Sequence, residues 1–379
     1  MKKIGGVFPY VNLMEKPNEY LSGLTPEDGE LKFFMSGRCG IYYALLDHKQ
    51  TTDNLTAYVP IYTCETVLAP FKKAGYELLF YDFDRDMKPK FDPSVLDRIS
   101  IISICGYFGF STYDREFVAE CKRRGIAVIE DTTHSIFSTD GVDPHCDYIA
   151  GSFRKWLGVP CGGFAIKTNG KFTVPTLPPN EEHINWRNEL YTLRTNNPSP
   201  ATPEEAAALQ SQSDELFWKS EMKLRKIFDC FESDQHSAHI MKHFPVSELQ
   251  EQRRKNYQYI LEHLKPSSAW KLVFPVLPEG TVPCHITLYA ENREEFRSKL
   301  VSQGIHCTSF WPISEFVNLE GTLTAYYIHT YGENLGGYEL PLHLESALDG
   351  IAVTSNGEPV PSDNYFVRYS QGLTLSPAP

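Results

Sequence analysis

The sequence predicts an α/β protein built on a mostly parallel sheet, and three observations carry that prediction. Short apolar runs alternate with helical patterns from about residue 57 to residue 130. The run 126–129 is β-branched and apolar without alternation, which is typical of a strand covered on both faces. The chain has 379 residues, 41% of them hydrophobic, which is enough for two domains. We expect a large domain over residues 1–245, including an N-terminal arm, and a smaller α+β domain over residues 246–379.

The first half of the chain follows a strand–helix rhythm. A helix should begin just after Ser36, because a hydroxyl and glycines precede an apolar helical stripe. Further strands are expected at 57–60, 77–82 and 101–105, and further helices at 65–74, 93–98 and 113–124. Right-handed crossovers between such strands give a parallel sheet. No Gly-x-Gly-x-x-Gly follows the first strand, which argues against a dinucleotide-binding domain.

The second half of the chain starts with a segment rich in Thr, Pro and Asn at 168–202, which predicts a long loop broken by a short helix. Loops of this length tend to be functional or to reach a partner. Long helices are expected at 203–232 and 247–264. The smaller domain should contain strands at 272–276, 286–289 and 305–309 and a helix at 293–303.

Composition excludes several classes of function. The formal net charge of −12 argues against sequence-independent binding of nucleic acid. No transmembrane span or secretory signal is evident. Nine cysteines without a Cys-x-x-Cys pair suit a reducing cytosol, so a cytoplasmic location is expected. The pairs Cys284-His285 and His306-Cys307 have spacings that do not favour zinc, so no metal site is predicted.

Two predicted strands each end in a residue suited to pyridoxal phosphate (PLP). The first strand delivers Glu130 and Asp131, and the second delivers Lys155, at the strand ends where open α/β sheets bind ligands. Lys155 could form a Schiff base with the cofactor aldehyde if a partly desolvated site keeps its amine unprotonated. Asp131 could keep the pyridine nitrogen protonated, which makes the ring an electron sink.

Two glycine-containing segments are candidates for binding the cofactor phosphate. Gly151 and Ser152 offer backbone N–H groups and a hydroxyl, and Gly162-Gly163 would let the returning strand pass close to the cofactor. The helix that begins after Ser36 is a second anion site, to which Arg38 adds a bidentate donor.

These residues resemble the fold-type I PLP enzymes, and more narrowly the DegT/StrS-like sugar aminotransferases. The resemblance covers about residues 30–170 and rests on Glu130-Asp131, on Ser152-Phe153 with Lys155, and on Gly162-Gly163. It implies the aspartate aminotransferase-like fold of PLP-dependent transferases, with Gly37, Arg38 and Cys39 at the cofactor phosphate.

The chain departs from the family pattern near the cofactor ring. Tyr62 and Tyr107 are candidates to cover one face of the ring, but the family's usual aromatic position is Cys64 in this chain. His134 stands where the family has a glutamine and could take the stacking role. The family's usual Asn-x-Arg pattern is missing from 168–202.

The resemblance implies an aminotransferase that moves an amino group from an amino acid, such as glutamate, to a keto-sugar, such as a nucleotide-linked one. Two alternatives stay open: a PLP-dependent dehydratase or lyase on the same scaffold, and a regulator that keeps the fold without turnover. Dehydratases of this kind replace the lysine with histidine, so Lys155 favours transamination. The segment 168–202 has no obvious place to pack within its own domain. The resemblance also implies a homodimer, whose neighbouring subunit would close an active site that this segment helps to share. The alternative is that the segment folds back as a lid over its own pocket.

Overall fold

A computed structural model gives the fold. It describes residues 7–197, 202–265, 267–290 and 292–303, short pieces of 305–317, and the backbone of five strands between 342 and 377. In these residues no helix is long and apolar enough to cross a membrane.

An eight-stranded sheet, ordered β1-β8-β7-β6-β5-β2-β3-β4, forms the centre of the protein. Its five central strands, from β7 to β3, are parallel, and the pairs β1–β8, β8–β7 and β3–β4 are antiparallel. The predicted α/β class with a mostly parallel sheet is therefore confirmed. The strands are β1 (Glu30–Phe34), β2 (Thr56–Pro60), β3 (Glu77–Phe83), β4 (Pro89–Lys90), β5 (Ile101–Cys105), β6 (Ala127–Asp131), β7 (Tyr148–Ser152) and β8 (Gly163–Lys167).

Successive residues of the central strands pack into different cores. Ile102 and Val128 belong to one hydrophobic cluster, whereas their chain neighbours Ile101 and Ile129 belong to another. All four side chains are at most 1% exposed. The sheet is thus buried on both faces, which explains why its strands read as apolar runs without alternation.

The helices of the first half are α1 (Tyr20–Gly23), α2 (Gly37–His48), α3 (Glu65–Ala74) and α4 (Arg115–Arg123). Ser36 caps α2 by accepting a hydrogen bond from the N–H of Cys39. Gly75 ends α3 in the left-handed conformation, with φ 93°. The helix expected at 93–98 is only a 3₁₀ turn, Pro93–Val95, so that prediction was too long.

The segment 168–202 differs most from its prediction. It contains a full helix, α5 (Glu181–Asn196), which packs along α6 (Pro203–Ile227) of the same chain. The face of α5 that is buried includes His183 and Arg187 besides apolar residues. Because two polar residues occupy buried positions, the apolar period is broken and the sequence reads as a loop. The expectation that this segment has no place to pack in its own chain was wrong.

The remaining elements follow the sheet. After Ile227 the backbone turns to extended geometry at Phe228 and forms bridges from Phe231 to Leu177 and from Glu232 to Phe34, so α6 is shorter than expected. The elements that follow are α7 (Gln235–His243), which was not predicted, α8 (Val246–His263), β9 (Trp270–Leu272), β10 (Leu288–Ala290) and α9 (Arg293–Ser302).

Beyond α9 the chain is described only in parts. The strands there are β11 (Leu342–Ser346), β12 (Gly350–Ser355), β13 (Glu358–Pro359), β14 (Tyr365–Tyr369) and β15 (Leu373–Pro377). The strand expected at 305–309 lies partly outside the described residues. The division into domains at residue 245 stays a prediction.

Candidate active site

Lys155 lies at the carboxyl end of the parallel strands. It ends a 3₁₀ turn, Phe153–Lys155, that directly follows β7. The N–H of Phe153 donates to the carbonyl of Gly162 at 2.8 Å, and the indole of Trp156 donates to the carbonyl of Thr133 at 2.8 Å. These two bonds tie the lysine turn to β8 on one side and to the end of β6 on the other. The structure therefore brings Lys155 and Asp131 to the same edge of the sheet, as expected.

Several ionisable side chains converge on Lys155. Burial is the largest cause of each of their pKa shifts, but all of them also feel the lysine charge: Asp131, His134, Glu221, Cys284 and His285. Lys155 itself is exposed. The sequence argument assumed a partly desolvated amine, and the structure shows instead an open position among buried groups.

Asp131 and Glu130 point to different environments, because successive strand residues alternate between the two faces. Oδ1 of Asp131 accepts two hydrogen bonds from Thr133, at 3.0 Å from the N–H and 2.6 Å from the hydroxyl. Burial raises the pKa of the Asp131 carboxyl, and these bonds and the Lys155 charge oppose that shift.

Glu130 is fully buried away from Lys155. It accepts hydrogen bonds from the hydroxyl of Tyr113 at 2.9 Å and from the N–H of Asp143 at 2.7 Å. Burial raises the pKa of Glu130 to about 7 despite these bonds. Of the two acids at the end of β6, only Asp131 belongs to the site.

The N-terminus of α2 lies against the end of β7. A Cβ on Gly37 would stand 3.0 Å from the carbonyl oxygen of Gly151 and 3.1 Å from Cβ of Ser152. The N–H groups of Cys39 and Gly40 bond to the carbonyl of Ser36, so the orphan N–H groups of this helix start are those of Gly37 and Arg38. The helix start predicted to bind an anion therefore has two free N–H groups and lies beside Ser152, and its role at a phosphate stays a prediction.

Cys39 packs inside the start of α2. Its side chain is fully buried, and the hydroxyl of Ser36 donates to its sulfur at 3.2 Å. Burial raises the pKa of this thiol. A role of Cys39 at the cofactor phosphate stays a prediction.

The paired glycines pack closely against neighbouring elements. A Cβ on Gly162 would lie 2.8 Å from Cγ of Arg154, and one on Gly163 would lie 2.1 Å from the carbonyl oxygen of Ser36. The missing side chains make room for the lysine turn and for the start of α2. That they let the strand pass close to a cofactor stays a prediction.

The two candidate ring-covering tyrosines form one cluster. Tyr62 and Tyr107 stack with centroids 5.8 Å apart, and the hydroxyl of Tyr107 donates to the carbonyl of Tyr62. Tyr107 is 1% exposed, whereas Tyr62 is half-buried and packs on Trp311 at 5.3 Å. Tyr107 is thus a core residue, and Tyr62 is the better placed of the two candidates to cover a ring face.

His134 lies beside Lys155 in an aromatic cluster that the sequence did not indicate. Its ring is nearly parallel to those of Phe108, at 5.4 Å, and Trp311, at 5.6 Å. Burial lowers the pKa of His134 well below its usual value, and His285 and Lys155 lower it further. His134 is therefore a neutral aromatic ring at neutral pH. Phe108 has a positive φ of 56°, an unusual conformation that places a bulky ring at the end of β5.

His134 also lies close to Cys284 and His285. One possible ligand atom from each of the three residues lies within 4.8 Å of the others. The sequence argument considered Cys284-His285 alone and did not connect it to His134, because the partner is 150 residues away in the chain. No metal is assigned here, since the same rings pack in the aromatic cluster around Phe108.

Sequence reasoning also missed a group of buried charges behind the lysine turn. Glu221 of α6 accepts hydrogen bonds from Arg154, at 2.5 Å, and from Arg187 of α5. Arg38 is close enough to act on the same carboxylate. Burial disfavours the charged form of Glu221, but these arginines hold its pKa well below its usual value.

Comparison with solved structures finds similar chains. The aminotransferase TlmJ from Streptoalloteichus hindustanus is 14% identical, with a TM-score of 0.51 over 82% of this chain and 85% of that one. Helicobacter pylori PseC, an aminotransferase involved in the biosynthesis of pseudoaminic acid, is 12% identical, with the same TM-score and coverage. NtdA from Bacillus subtilis with bound cofactor PMP is 16% identical, with a TM-score of 0.51 over 80% of this chain and 66% of that one.

The chain has the fold of these proteins. The fold expected from the resemblance, that of the PLP-dependent transferases, is thereby confirmed. No protein-family model and no curated protein matches the sequence.

Proposed function

We propose that this protein is a PLP-dependent aminotransferase that transfers an amino group from an amino acid to a keto-sugar. The observation that carries the proposal is the meeting of Lys155, Asp131 and the N-terminus of α2 at one edge of the sheet. The fold shared with the aminotransferases TlmJ and PseC supports it.

The residues present fit the three functional groups of PLP. Lys155 offers an exposed amine for the aldehyde, and Asp131 offers a carboxylate for the pyridine nitrogen. The helix start at Gly37, with Ser152 beside it, offers donors for the phosphate. The buried Nε of Arg38 has no hydrogen-bond partner among the described residues, which also favours an anionic ligand there. When bound, PLP supplies an electron sink for the carbanion that forms at the substrate carbon.

Each residue then has a defined task. Lys155 Nζ would hold the cofactor aldehyde, and the same amine would move the proton at the substrate carbon as general base and acid. Asp131 would serve the pyridine nitrogen through Oδ2, because Oδ1 accepts two hydrogen bonds from Thr133. Thr133 and Lys155 both favour the ionised carboxylate, the form that Asp131 needs to hold a proton on the ring nitrogen. His134 and Tyr62, which both pack on Trp311, would provide neutral ring surfaces near this region.

The finer assignments rest on the resemblance. It suggests glutamate as the amino donor and a nucleotide-linked keto-sugar as the acceptor, and PseC, of the same fold, takes part in the biosynthesis of pseudoaminic acid. A homodimer and a cytoplasmic location belong to the same proposal. The nine cysteines, all without a disulfide, support the location.

The test is covalent labelling followed by a donor screen. Purified protein is mixed with PLP, reduced with borohydride and digested, and the modified peptide is identified by mass spectrometry. We expect the label on Lys155, no label in Lys155→Ala, and normal labelling in the control Lys226→Ala, whose side chain is exposed on α6. An amino donor should then convert the bound cofactor to its amine form, seen as a change in absorbance. Label without conversion by any amino acid would point to a non-catalytic regulator, and absence of label would refute the proposal.

A further inference from the structure

Five residues form a cationic cluster next to the lysine turn, with Arg38, His183 and Arg187 buried and Arg154 and Glu221 partly buried. They come from four elements, α2, the turn after β7, α5 and α6. Glu221 lies at the centre and bonds to Arg154 and Arg187.

The cluster has more positive than negative charge. Arg187 is 1% exposed and Arg38 is 6% exposed, and burial lowers the pKa of both guanidinium groups. Arginine nonetheless stays protonated in proteins. Burial lowers the pKa of His183 to about 3, so this residue is neutral at pH 7. Three guanidinium groups therefore face one carboxylate, and two buried positive charges have no counterion within the cluster. Such an excess is costly unless an anion compensates it.

The cluster also holds many of the unpaired polar atoms. Ten buried side-chain nitrogen and oxygen atoms of the described residues have no hydrogen-bond partner, and five of them belong to this cluster. They are Nε of Arg38, Nη1 of Arg154, Nε of Arg187 and both ring nitrogens of His183. Buried donors are normally paired, so their concentration at one place points to a ligand with several acceptor oxygens.

We propose that this cluster binds a phosphate dianion. Two negative charges balance the two excess positive charges, and phosphate oxygens match the fork of donors on arginine. The cluster adjoins the phosphate site described above, because Arg154 lies between Ser152 and Lys155 and Arg38 is the second residue of α2. Assignment of the phosphate to PLP rests on the proposed function. In that case α5 supplies Arg187 to the phosphate site from the same chain as Lys155.

Calorimetry on the full-length protein, stripped of cofactor, tests the proposal. The probes are PLP, pyridoxal, which lacks the phosphate, and inorganic phosphate. The variant is Arg187→Gln, and the control is Arg123→Gln, which removes the same charge from an exposed position on α4. Hydrogen bonds to charged groups contribute about 1.5–3 kcal/mol, so loss of Arg187 should weaken PLP and phosphate binding by about 10- to 100-fold. Pyridoxal binding should not change, and the control should behave as the unmodified protein.

Thermal unfolding gives a readout that does not depend on the cofactor. Inorganic phosphate should raise the unfolding midpoint of the unmodified protein and of Arg123→Gln, but not that of Arg187→Gln. In phosphate-free buffer Arg38→Gln should be at least as stable as the control, because Nε of Arg38 has no hydrogen-bond partner among the described residues and the variant removes an uncompensated charge. If Arg38 only stabilised the fold, Arg38→Gln would be less stable than the control. If Arg187→Gln does not fold, Arg38→Gln is measured in the same way, and competition between phosphate and PLP in the unmodified protein needs no variant.

The results of these experiments distinguish the phosphate of PLP from that of another phosphate ester. Competition between inorganic phosphate and PLP assigns the cluster to the cofactor phosphate. Arg187-dependent binding of phosphate to the PLP-loaded protein supports the site but assigns it to another phosphate ester. Equal binding of PLP and pyridoxal, together with no effect of phosphate on unfolding, would overturn the proposal. That result would leave the labelling of Lys155, and so the proposed function, untouched.

Discussion

The carbonyl oxygen of Ser36 lies 2.1 Å from the position that a Cβ on Gly163 would take. This close approach joins the cap of α2 to the start of β8, and it sets the distance between the helix start and the strand ends that carry Lys155 and Asp131. A methyl group cannot fit at that distance. The atoms that it would meet, in Ser36 and Gly37, belong to the backbone and cannot rotate away as a side chain could.

Gly163→Ala should therefore displace the start of α2 and destabilise the protein. Overpacking costs about 1–3 kcal/mol, and a fall of that size in the free energy of unfolding, measured with urea, is expected. PLP affinity should fall as well, because the phosphate donors of α2 would move. Gly23→Ala is the control, since no atom lies within 4 Å of its Cβ position. Unchanged stability in Gly163→Ala would show that this contact is not as tight as described.

Asp131→Asn should keep cofactor binding and lose turnover. The amide retains the oxygen that accepts from Thr133 but removes the charge that favours a protonated ring nitrogen. We expect the rate of the reaction with an amino donor to fall by orders of magnitude, while PLP affinity changes little. Asp53→Asn, at an exposed position, is the matched control. Full turnover in Asp131→Asn would remove Asp131 from the site.

Glu130 should make stability depend on pH. Burial raises its pKa from 4.5 to about 7 in the folded protein. Between these two values the folded state binds a proton that the unfolded state has lost, so this contribution is fully present below about pH 4.5 and disappears as pH rises through 7. The contribution amounts to about 3 kcal/mol. Urea unfolding at a series of pH values should show this decrease, and in Glu130→Gln the decrease between pH 4.5 and 7 should be smaller. An equal slope in both proteins would contradict the assignment.

His134 should act as an aromatic surface and not as an acid or base. It is neutral and packs nearly parallel to Phe108 and Trp311. His134→Phe should keep most of the PLP affinity, whereas His134→Ala should weaken it by about tenfold, since aromatic contacts add about 0.5–1.5 kcal/mol beyond the buried area. Fluorescence titration with PLP measures both. Equal losses in the two variants would mean that a ring nitrogen, and not the ring face, makes the contact.

The proposed homodimer can be tested separately from the sharing of its sites. Light scattering gives the oligomeric state in dilute solution. Besides the resemblance, one reason to expect shared sites is that residues 168–202 have no obvious place to pack, but α5 packs on α6 of its own chain, and Arg187 and Arg154 bond to the same carboxylate. Mixing inactive Lys155→Ala with Arg187→Gln should therefore restore no activity. A recovery on mixing would show that the partner's Arg187 completes the site.

The sequence by itself determined the features that depend on neighbouring residues in the chain. The apolar runs of β5 and β6 and the cap at Ser36 could be read directly, because strand burial and helix capping depend on neighbours in the chain. The placement of Asp131 and Lys155 followed from one rule about strand ends.

Only the tertiary structure decided what depends on distant partners. The buried face of α5 carries His183 and Arg187, and nothing in the local pattern shows that these polar residues face Glu221 and Arg154 from other parts of the chain. The aromatic packing of His134 likewise depends on Trp311, which lies 177 positions later in the chain. Local periodicity records which residues share a face of one element, whereas the charge and packing of a site are sums over elements that meet only after folding.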